Sequence, residues 1–193
     1  MAVSCDSYSV EAASRIARLH NLSGLASDVF FVSRKQLGAN ILPTPVDFVV
    51  KPDGALFRSQ TGSMDFLINR QDAHECGSAL FGPPTKDLVP EVPWALLREA
   101  LLWLLPHIAD RFKNPVLMLC RVAYAIHHRS LCSKVAAGEW ARKHLGIEWA
   151  DLIDEALQEY TAGVAQVSQK HDITRSFSQY CENYVRRLEP EAT

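Results

Sequence analysis

The stretch LCRVAYAIHHRSLCSKVAAGEWARKHL, residues 119–145, holds the end of one predicted helix, a short turn and a second predicted helix. The first helix is predicted over 115–128, where apolar residues recur at helical spacing and Pro115 suits the first turn. The second is predicted over 133–145, because Ser133 can cap it by accepting a hydrogen bond from an unpaired backbone N–H. These two helices predict that the C-terminal part of the chain is helical.

The second predicted helix divides into two faces of different chemistry. One face gathers the small residues and the tryptophan, namely Ala136, Ala137, Trp140, Ala141, His144 and Leu145. The other face carries Lys134, Val135, Gly138, Glu139 and Arg142. Composition alone favours a buried face around Trp140 and a solvated, charged face opposite it.

Periodicity along the rest of the chain predicts the fold class. Further helices are predicted at 10–22, 63–77, 93–105, 149–169 and 172–188. Short runs rich in Val and Phe predict strands at 28–33, 46–50 and 55–59, with a KPDG turn between the last two. We therefore predict an α+β fold that is mostly α, with a short β-containing segment at the N-terminus followed by a helical bundle.

Composition and charge narrow the class of protein. The 193 residues suit one domain or one domain with a small appendage, and a net charge of −2 gives no reason to expect nucleic acid or an acidic membrane as partner. The apolar run 94–108 is interrupted by Arg98, Glu99 and Pro106, so it does not predict a membrane span. Five cysteines without a Cys-x-x-Cys pair predict reduced thiols in a cytoplasmic protein.

Two short motifs admit both a binding and a structural interpretation. His127 and His128 could ligate a metal, but adjacent helical side chains point about 100° apart, so we favour a role at the end of the 115–128 helix. GSMD at 62–65 could begin a phosphate-binding turn, or it could begin a helix with Ser63 or Asp65 as cap. The apolar stripe that follows favours the helix, and no metal ligand is assigned.

The stretch 119–145 resembles the C-terminal helical domain of aminoglycoside 3″/9-adenylyltransferases and their broader relatives. The matching residues are Leu119, Cys120, Arg121, Tyr124, Ser133, Lys134, Ala136, Glu139, Trp140 and Ala141. Upstream, ECGSALFGPPTKDLVPEVP at 75–93 is similar to the family's linker into that domain. The resemblance implies a partial nucleotidyltransferase-like α/β segment at 1–62 and an adenylyltransferase-like helical bundle at 63–193.

The resemblance also implies an activity, the transfer of an adenylyl group from ATP to a hydroxyl of an aminoglycoside or other small cationic substrate, with Mg²⁺. It implies metal ligands from a Gly-Ser turn and an Asp-x-Asp pair, but this sequence contains no Asp-x-Asp pair. We therefore expect the chain to begin inside the nucleotidyltransferase domain. Asp28 matches the family's general base, usually Glu, and the alternative is an aspartate that only begins a strand.

For the nucleotide, the resemblance implies contacts from Lys134 and Arg121. Arg121 lies on an otherwise apolar helix, and a structural bond to a carboxylate within the bundle is the alternative. For the substrate, the resemblance implies Glu139, with Arg142 and Trp140 on the same helix.

Three hypotheses follow, since the sequence also departs from the family pattern at Val135, in place of an aspartate, and at Ala123, in place of a tryptophan. The first is a truncated or diverged adenylyltransferase homologue that cannot catalyse alone. The second is a substrate-binding subunit that partners a separate nucleotidyltransferase chain. The third is a helical interaction protein without a ligand. A missing half-domain would leave apolar sheet surface, so we also expect a homodimer through residues 10–58.

Overall fold

A computed structural model describes residues 2–5, 9–23, 28–51, 53–58, 63–80, 82–163 and 171–188. The chain forms two compact units, Met1–Ala100 and Leu101–Thr193. The domain boundary predicted at residue 62 stays a prediction, and residues 63–100 belong by their contacts to the first unit.

The first unit contains a four-stranded sheet in the order β1-β2-β3-β4. Its strands are β1 (Ala2–Cys5), β2 (Val29–Ser33), β3 (Phe48–Val50) and β4 (Leu56–Arg58). The β2-β3-β4 portion is antiparallel and matches the three predicted strands, whereas β1 pairs with β2 in parallel and was not predicted. Gly54, with φ of 81°, closes the turn between β3 and β4, where its N–H donates to the Lys51 carbonyl.

The two faces of this sheet are covered by different apolar groups because side chains alternate along a strand. Helix α1 (Val10–Ser23) packs on one face of the sheet. There its Ala13 and Ala17 form a buried cluster with the strand residues Val29, Phe31, Phe48 and Val50. On the other face, Val32 of β2 belongs to a second buried cluster with Leu37, Val46, Phe66 and Val89. The alternation of β2 thus places its odd-numbered apolar residues against α1 and Val32 on the opposite side.

Three helices and a buried arginine complete the first unit. The helices are α2 (Arg34–Leu37), α3 (Phe66–Cys76) and α4 (Thr85–Leu88). The prediction that GSMD precedes a helix is confirmed, although the Asp65 side chain accepts from the Ser63 hydroxyl and makes no cap bond; Gly62 lies outside the described residues. Arg70 is 1% exposed and donates to the Leu37 and Ala39 carbonyls, which ties α3 to the loop after α2.

The second unit is helical, and α7 lies at its centre. Helix α5 (Trp94–Leu104), whose residues up to Ala100 belong to the first unit, leads into a 3-10 turn at Leu105–His107. This turn is followed by α6 (Ile108–Arg111), α7 (Pro115–His128) and α8 (Lys134–His144). A second 3-10 turn, Ile147–Trp149, precedes α9 (Ala150–Thr161) and α10 (His171–Leu188). Helix α7 contacts α6, α8, α9 and α10, and most of its side chains are buried.

The predicted fold class, mostly α with a small N-terminal sheet, is confirmed. The helix predicted at 149–169 begins at Ala150 and ends at Thr161, and residues 164–170 lie outside the described part of the chain. Within the described residues, none of the helices combines the length and apolar character that a membrane crossing requires.

Candidate functional site

The start of α8 is set by two local features of the connection from α7. Arg129 ends α7 in a left-handed conformation, with φ of 55°. Ser133 then accepts a hydrogen bond from the Ala136 N–H at 3.1 Å, which confirms the predicted cap. These two features fix where α7 ends and where the first turn of α8 begins.

The buried face of α8 differs from the predicted one. Ala137, Gly138 and Ala141 are buried, whereas Trp140 is half-buried and Ala136 is exposed. A Cβ atom on Gly138 would lie 2.8 Å from Leu157 Cδ2 and 3.0 Å from Leu117 Cδ2. Placing Gly138 on the solvated face was therefore wrong, because the missing side chain is what lets α8 approach α7 and α9 closely.

Two cationic side chains lie near the first turn of α8. Arg121 Nε donates to the Cys132 carbonyl at 2.7 Å, so the guanidinium lies against the segment that leads into this helix. Lys134, the first residue of α8, is half-buried, and its Nζ lies 5.4 Å from the centroid of the Tyr160 ring. Burial lowers the pKa of Lys134, and the positive charge of Arg121 lowers it further.

The structure thus brings together the two residues that were predicted to bind a nucleotide. Arg121 makes a structural contact to a backbone carbonyl, and the bond to a carboxylate within the bundle stays a prediction. Tyr160 is a further residue beside Lys134. The sequence did not indicate it, because nothing in the spacing of residues 134 and 160 relates them. The roles of Arg121 and Lys134 in binding stay predictions.

Of the three residues predicted for the substrate, Glu139 and Trp140 face away from Lys134, whereas Arg142 faces α9 as Lys134 does. Glu139 lies five positions after Lys134, which is about 140° around a helix, and it is exposed. Arg142 pairs with Asp154, with 3.1 Å between Nη1 and Oδ1. Trp140 packs among other rings. These residues share a helix with Lys134 but present at least two separate surfaces.

The rings around Trp140 form a cluster where α7, α8 and α10 meet. We call this the ring cluster, and its members are Tyr124, His127, His128, Trp140, His144 and Tyr184. His144 stacks on Trp140 with centroids 5.1 Å apart, and His127 Nδ1 lies 2.8 Å from the Tyr184 hydroxyl oxygen. The two histidines at 127 and 128 therefore do more than end α7.

Protonation of His128 is opposed by its neighbours in the ring cluster. Burial lowers the pKa of His128, and the neighbouring His127 and His144 lower it further. Burial also raises the pKa of Tyr184. Among the described residues, no three His, Cys, Asp or Glu side chains are grouped so that they could hold a metal ion.

Asp28 lies in the first unit, immediately before β2. Its carboxylate pairs with Lys51, with 2.7 Å between Oδ2 and Nζ. The side chains of Asp28 and Lys51 are 34% and 46% exposed. The position at the head of a strand agrees with the sequence, and the role of Asp28 as a base stays a prediction.

The sequence of this chain matches one family model and several curated relatives. The family model described as aminoglycoside adenylyltransferase, C-terminal domain, matches residues 87–184. An aminoglycoside (3'')(9) adenylyltransferase of Escherichia coli is 31% identical over 144 residues, which are 72% of this chain and 52% of the relative. One from Klebsiella pneumoniae is 29% identical over 139 residues, or 69% of this chain and 53% of the relative. The chain spans about half the length of these relatives.

The fold of the chain is shared with a solved enzyme. The match is to spectinomycin adenyltransferase AAD(9) from Enterococcus faecialis, solved with ATP and spectinomycin, with a TM-score of 0.80. It covers 96% of this chain and 82% of the other at 14% sequence identity. At this identity the likeness concerns the fold, and it supports the predicted architecture.

Proposed function

Because the chain belongs to the aminoglycoside adenylyltransferase family, we propose that it binds the phosphates of an adenine nucleotide at the start of α8. The observation that carries this proposal is that Arg121 bonds to the segment leading into that helix and that its charge lowers the pKa of Lys134, the first residue of the helix. The charge of Arg121 disfavours the protonated form of Lys134, and an anion bound beside Lys134 would favour that form. ATP bound in the structural neighbour is consistent with a nucleotide as the anion.

The local backbone favours the same kind of ligand. Helix α8 spans Lys134–His144, so its N-terminus carries a partial positive charge that favours an anion, although the Ala136 N–H already donates to Ser133. The side chain of Lys134 would meet a phosphate as a point charge, while the planar guanidinium of Arg121 could donate to two phosphate oxygens. The residues present therefore fit the phosphate part of ATP.

We propose a cationic aminoglycoside as the second ligand, in keeping with the names of the relatives. Glu139 is the exposed carboxylate of α8 that could attract an ammonium group, with Trp140 and Arg142 beside it on the helix. Because Arg142 already pairs with Asp154, its contribution would be to orient acidic groups on α8 and α9. Asp28 would serve as base only if a substrate hydroxyl displaced Lys51 from its carboxylate.

Mg²⁺, which adenylyl transfer requires in general, does not fit the residues present. The sequence has no Asp-x-Asp pair, and the described residues contain no group of three candidate ligands. We therefore derive no catalytic step through a metal ion. The proposal is that this chain binds nucleotide and aminoglycoside, and that adenylyl transfer needs metal-binding carboxylates from a separate nucleotidyltransferase chain.

A thermal-shift and calorimetry series tests the proposal. ATP should raise the unfolding temperature of the wild-type chain, since a ligand of the folded state stabilises it. Lys134→Ala should weaken ATP binding by about tenfold, the usual effect of losing one charge-assisted bond. The matched control is Lys143→Ala, which removes an exposed lysine from the other end of the same helix and should leave ATP affinity unchanged.

Three results would separate the alternatives. If ATP, streptomycin and spectinomycin all leave the unfolding temperature unchanged, the chain is a helical interaction protein without these ligands. Equal ATP affinity in wild type and Lys134→Ala would overturn the assignment of the site. Adenylyl transfer to either drug by the purified chain with ATP and Mg²⁺ would overturn the proposal that the chain needs a separate catalytic partner.

A further inference from the structure

The hydroxyl of Tyr184 has a nitrogen base as its partner. The hydroxyl oxygen lies 2.8 Å from Nδ1 of His127, so the phenol on α10 and the imidazole on α7 share a hydrogen bond. In the tautomer that carries its proton on Nε2, Nδ1 accepts from the hydroxyl. The Tyr180 hydroxyl on the same helix is instead an acceptor, for the Gly146 N–H at 3.0 Å. Tyr184 therefore has a base within reach of its own proton.

We propose that Tyr184 is a modification site that is oxidised by radicals that remove one electron, namely carbonate radical and nitrogen dioxide. A phenol that loses an electron becomes a much stronger acid, so the electron leaves most readily when a hydrogen-bonded base takes the proton. Burial raises the pKa of Tyr184, and Tyr180 raises it further, so the hydroxyl keeps its proton near neutral pH. The imidazole of His127 is placed to accept this proton.

The ring cluster provides a route for the electron. Indole and phenol rings are the aromatic side chains that lose an electron most readily. The Trp140 ring is half-buried, and its centroid lies 6.3 Å from that of Tyr184 and 5.5 Å from that of Tyr124. A radical that takes an electron from the accessible part of Trp140 would thus leave a vacancy that Tyr184 can fill. This transfer depends on the distance between rings and needs no pocket for the oxidant.

The chemical steps balance. The oxidant gains one electron, while the Tyr184 side chain loses one electron and passes its proton to His127. The products are the reduced oxidant, a tyrosyl radical and an imidazolium, which later returns its proton to water. Nitrogen dioxide then forms a C–N bond to the ring carbon next to the phenolic carbon, and the hydrogen on that ring carbon moves to the oxygen. The product is 3-nitrotyrosine. The proposal does not rest on the proposed function, since neither nucleotide nor aminoglycoside takes part.

The experiment treats the folded wild-type chain with peroxynitrite in bicarbonate buffer, a mixture that releases both radicals. Mass spectrometry of peptides then gives the yield of 3-nitrotyrosine at each tyrosine. Tyr160 is the internal control, since it is 38% exposed whereas Tyr184 is half-buried. Nitration governed by exposure would favour Tyr160, but we expect a severalfold higher yield at Tyr184. In urea, where the contact with His127 is lost, the two yields should become equal.

Two variants test the role of His127. His127→Gln keeps a side chain that can hydrogen-bond to the Tyr184 hydroxyl but removes the base, so the yield at Tyr184 should fall severalfold. The matched control is His128→Gln, which changes the neighbouring member of the ring cluster and leaves the His127–Tyr184 contact in place. Its yield at Tyr184 should equal that of wild type. Circular dichroism establishes that each variant is folded.

Two results would overturn the proposal. One is a yield at Tyr184 equal to or below that at Tyr160 in the folded wild-type chain, which needs no variant to be measured. The other is an equal yield at Tyr184 in folded His127→Gln and His128→Gln, because the hydrogen bond to His127 would then be a structural contact alone.

Discussion

Lys51 lies directly across the sheet from Asp28, one position beyond the Val29–Val50 pair, and 2.7 Å separates Nζ from Oδ2. Asp28, which the family resemblance makes a candidate base, is thus also one partner of a cross-strand ion pair. Both side chains are at least a third exposed, so solvent screens their attraction.

We predict that Asp28→Asn and Lys51→Met each lower the free energy of unfolding by no more than about 1 kcal/mol. A double-mutant cycle in urea should give a coupling of about 0.2–1 kcal/mol that shrinks as salt is added. A coupling of several kcal/mol, insensitive to salt, would show that the pair is buried in solution and contradict the structure.

Gly138→Ala is predicted to destabilise the second unit. The added methyl would lie 2.8 Å from Leu157 Cδ2 and 3.0 Å from Leu117 Cδ2, and overpacking of this kind costs about 1–3 kcal/mol. The better helix propensity of Ala offsets about 1 kcal/mol, so the net loss should be about 1 kcal/mol. Urea unfolding measures it, and Leu157→Val in the Gly138→Ala background should recover part of the loss.

The matched control for this prediction is Ala136→Gly on the exposed side of the same helix. It should cost about 1 kcal/mol through propensity alone, with no recovery on Leu157→Val. A Gly138→Ala chain more stable than wild type would mean that α8 does not approach Leu117 and Leu157 as described.

Alkylation should distinguish the cysteines by burial. Burial raises the pKa of both Cys120 and Cys181, and both side chains are fully buried, whereas Cys76 is exposed. Because the thiolate is the reactive species, iodoacetamide should modify Cys76 first and leave Cys120 and Cys181 unmodified until the chain unfolds. Peptide mass spectrometry with and without urea measures this order. Equal rates at Cys76 and Cys120 in native buffer would be evidence against the α7–α10 packing.

The second unit should lose a small amount of stability on mild acidification through the ring cluster, because His128 is exposed and solvent screens its neighbours. The pKa of His128 is lowered by burial and by His127 and His144, so the unfolded chain binds this proton at a higher pH than the folded chain. His128 therefore has no effect on stability well above its ordinary pKa of about 6.5 and destabilises the fold as the pH drops below it. Tyr184, facing from α10 with a raised pKa, stays neutral in this range.

His144→Gln should raise the pKa of His128 by removing one of the neighbouring charges. It should also reduce the fall in unfolding temperature between about pH 7 and pH 5. An NMR titration of the imidazole resonances gives the first quantity, and thermal unfolding gives the second. His107→Gln is the control, since His107 packs on Trp103 outside the ring cluster. An unchanged pKa of His128 in His144→Gln would contradict this account.

The sequence predicted the elements better than it predicted their contacts. The helices at 115–128 and 133–145 were found within one residue of their observed ends because apolar spacing, Pro115 and the Ser133 cap act locally. Strand β1 was missed because its pairing with β2 depends on a partner some 28 residues away along the chain. A strand of four residues with a single β-branched residue and no aromatic residue has little local signal of its own.

The residues of the candidate site were likewise predicted from local motifs, whereas their contacts with one another were not. Lys134 and Arg121 were found through a motif, and the cap at Ser133 through local chemistry. Their proximity to each other and to Tyr160 depends on how α7, α8 and α9 pack, which periodicity along one helix does not specify. The burial of Gly138 and the partial exposure of Trp140 were mispredicted for this reason, because the helices that pack against α8 decide which of its faces is buried.

The short connection at residues 129–133 has a consequence for the order in which the second unit assembles. Helices α7 and α8 are neighbours in the chain and in space, whereas the His127–Tyr184 contact closes a loop of 57 residues. Local contacts cost less chain entropy and form sooner than distant ones. Arg121 and Lys134 should therefore reach their mutual arrangement early in folding, and the docking of α10 that completes the ring cluster should follow.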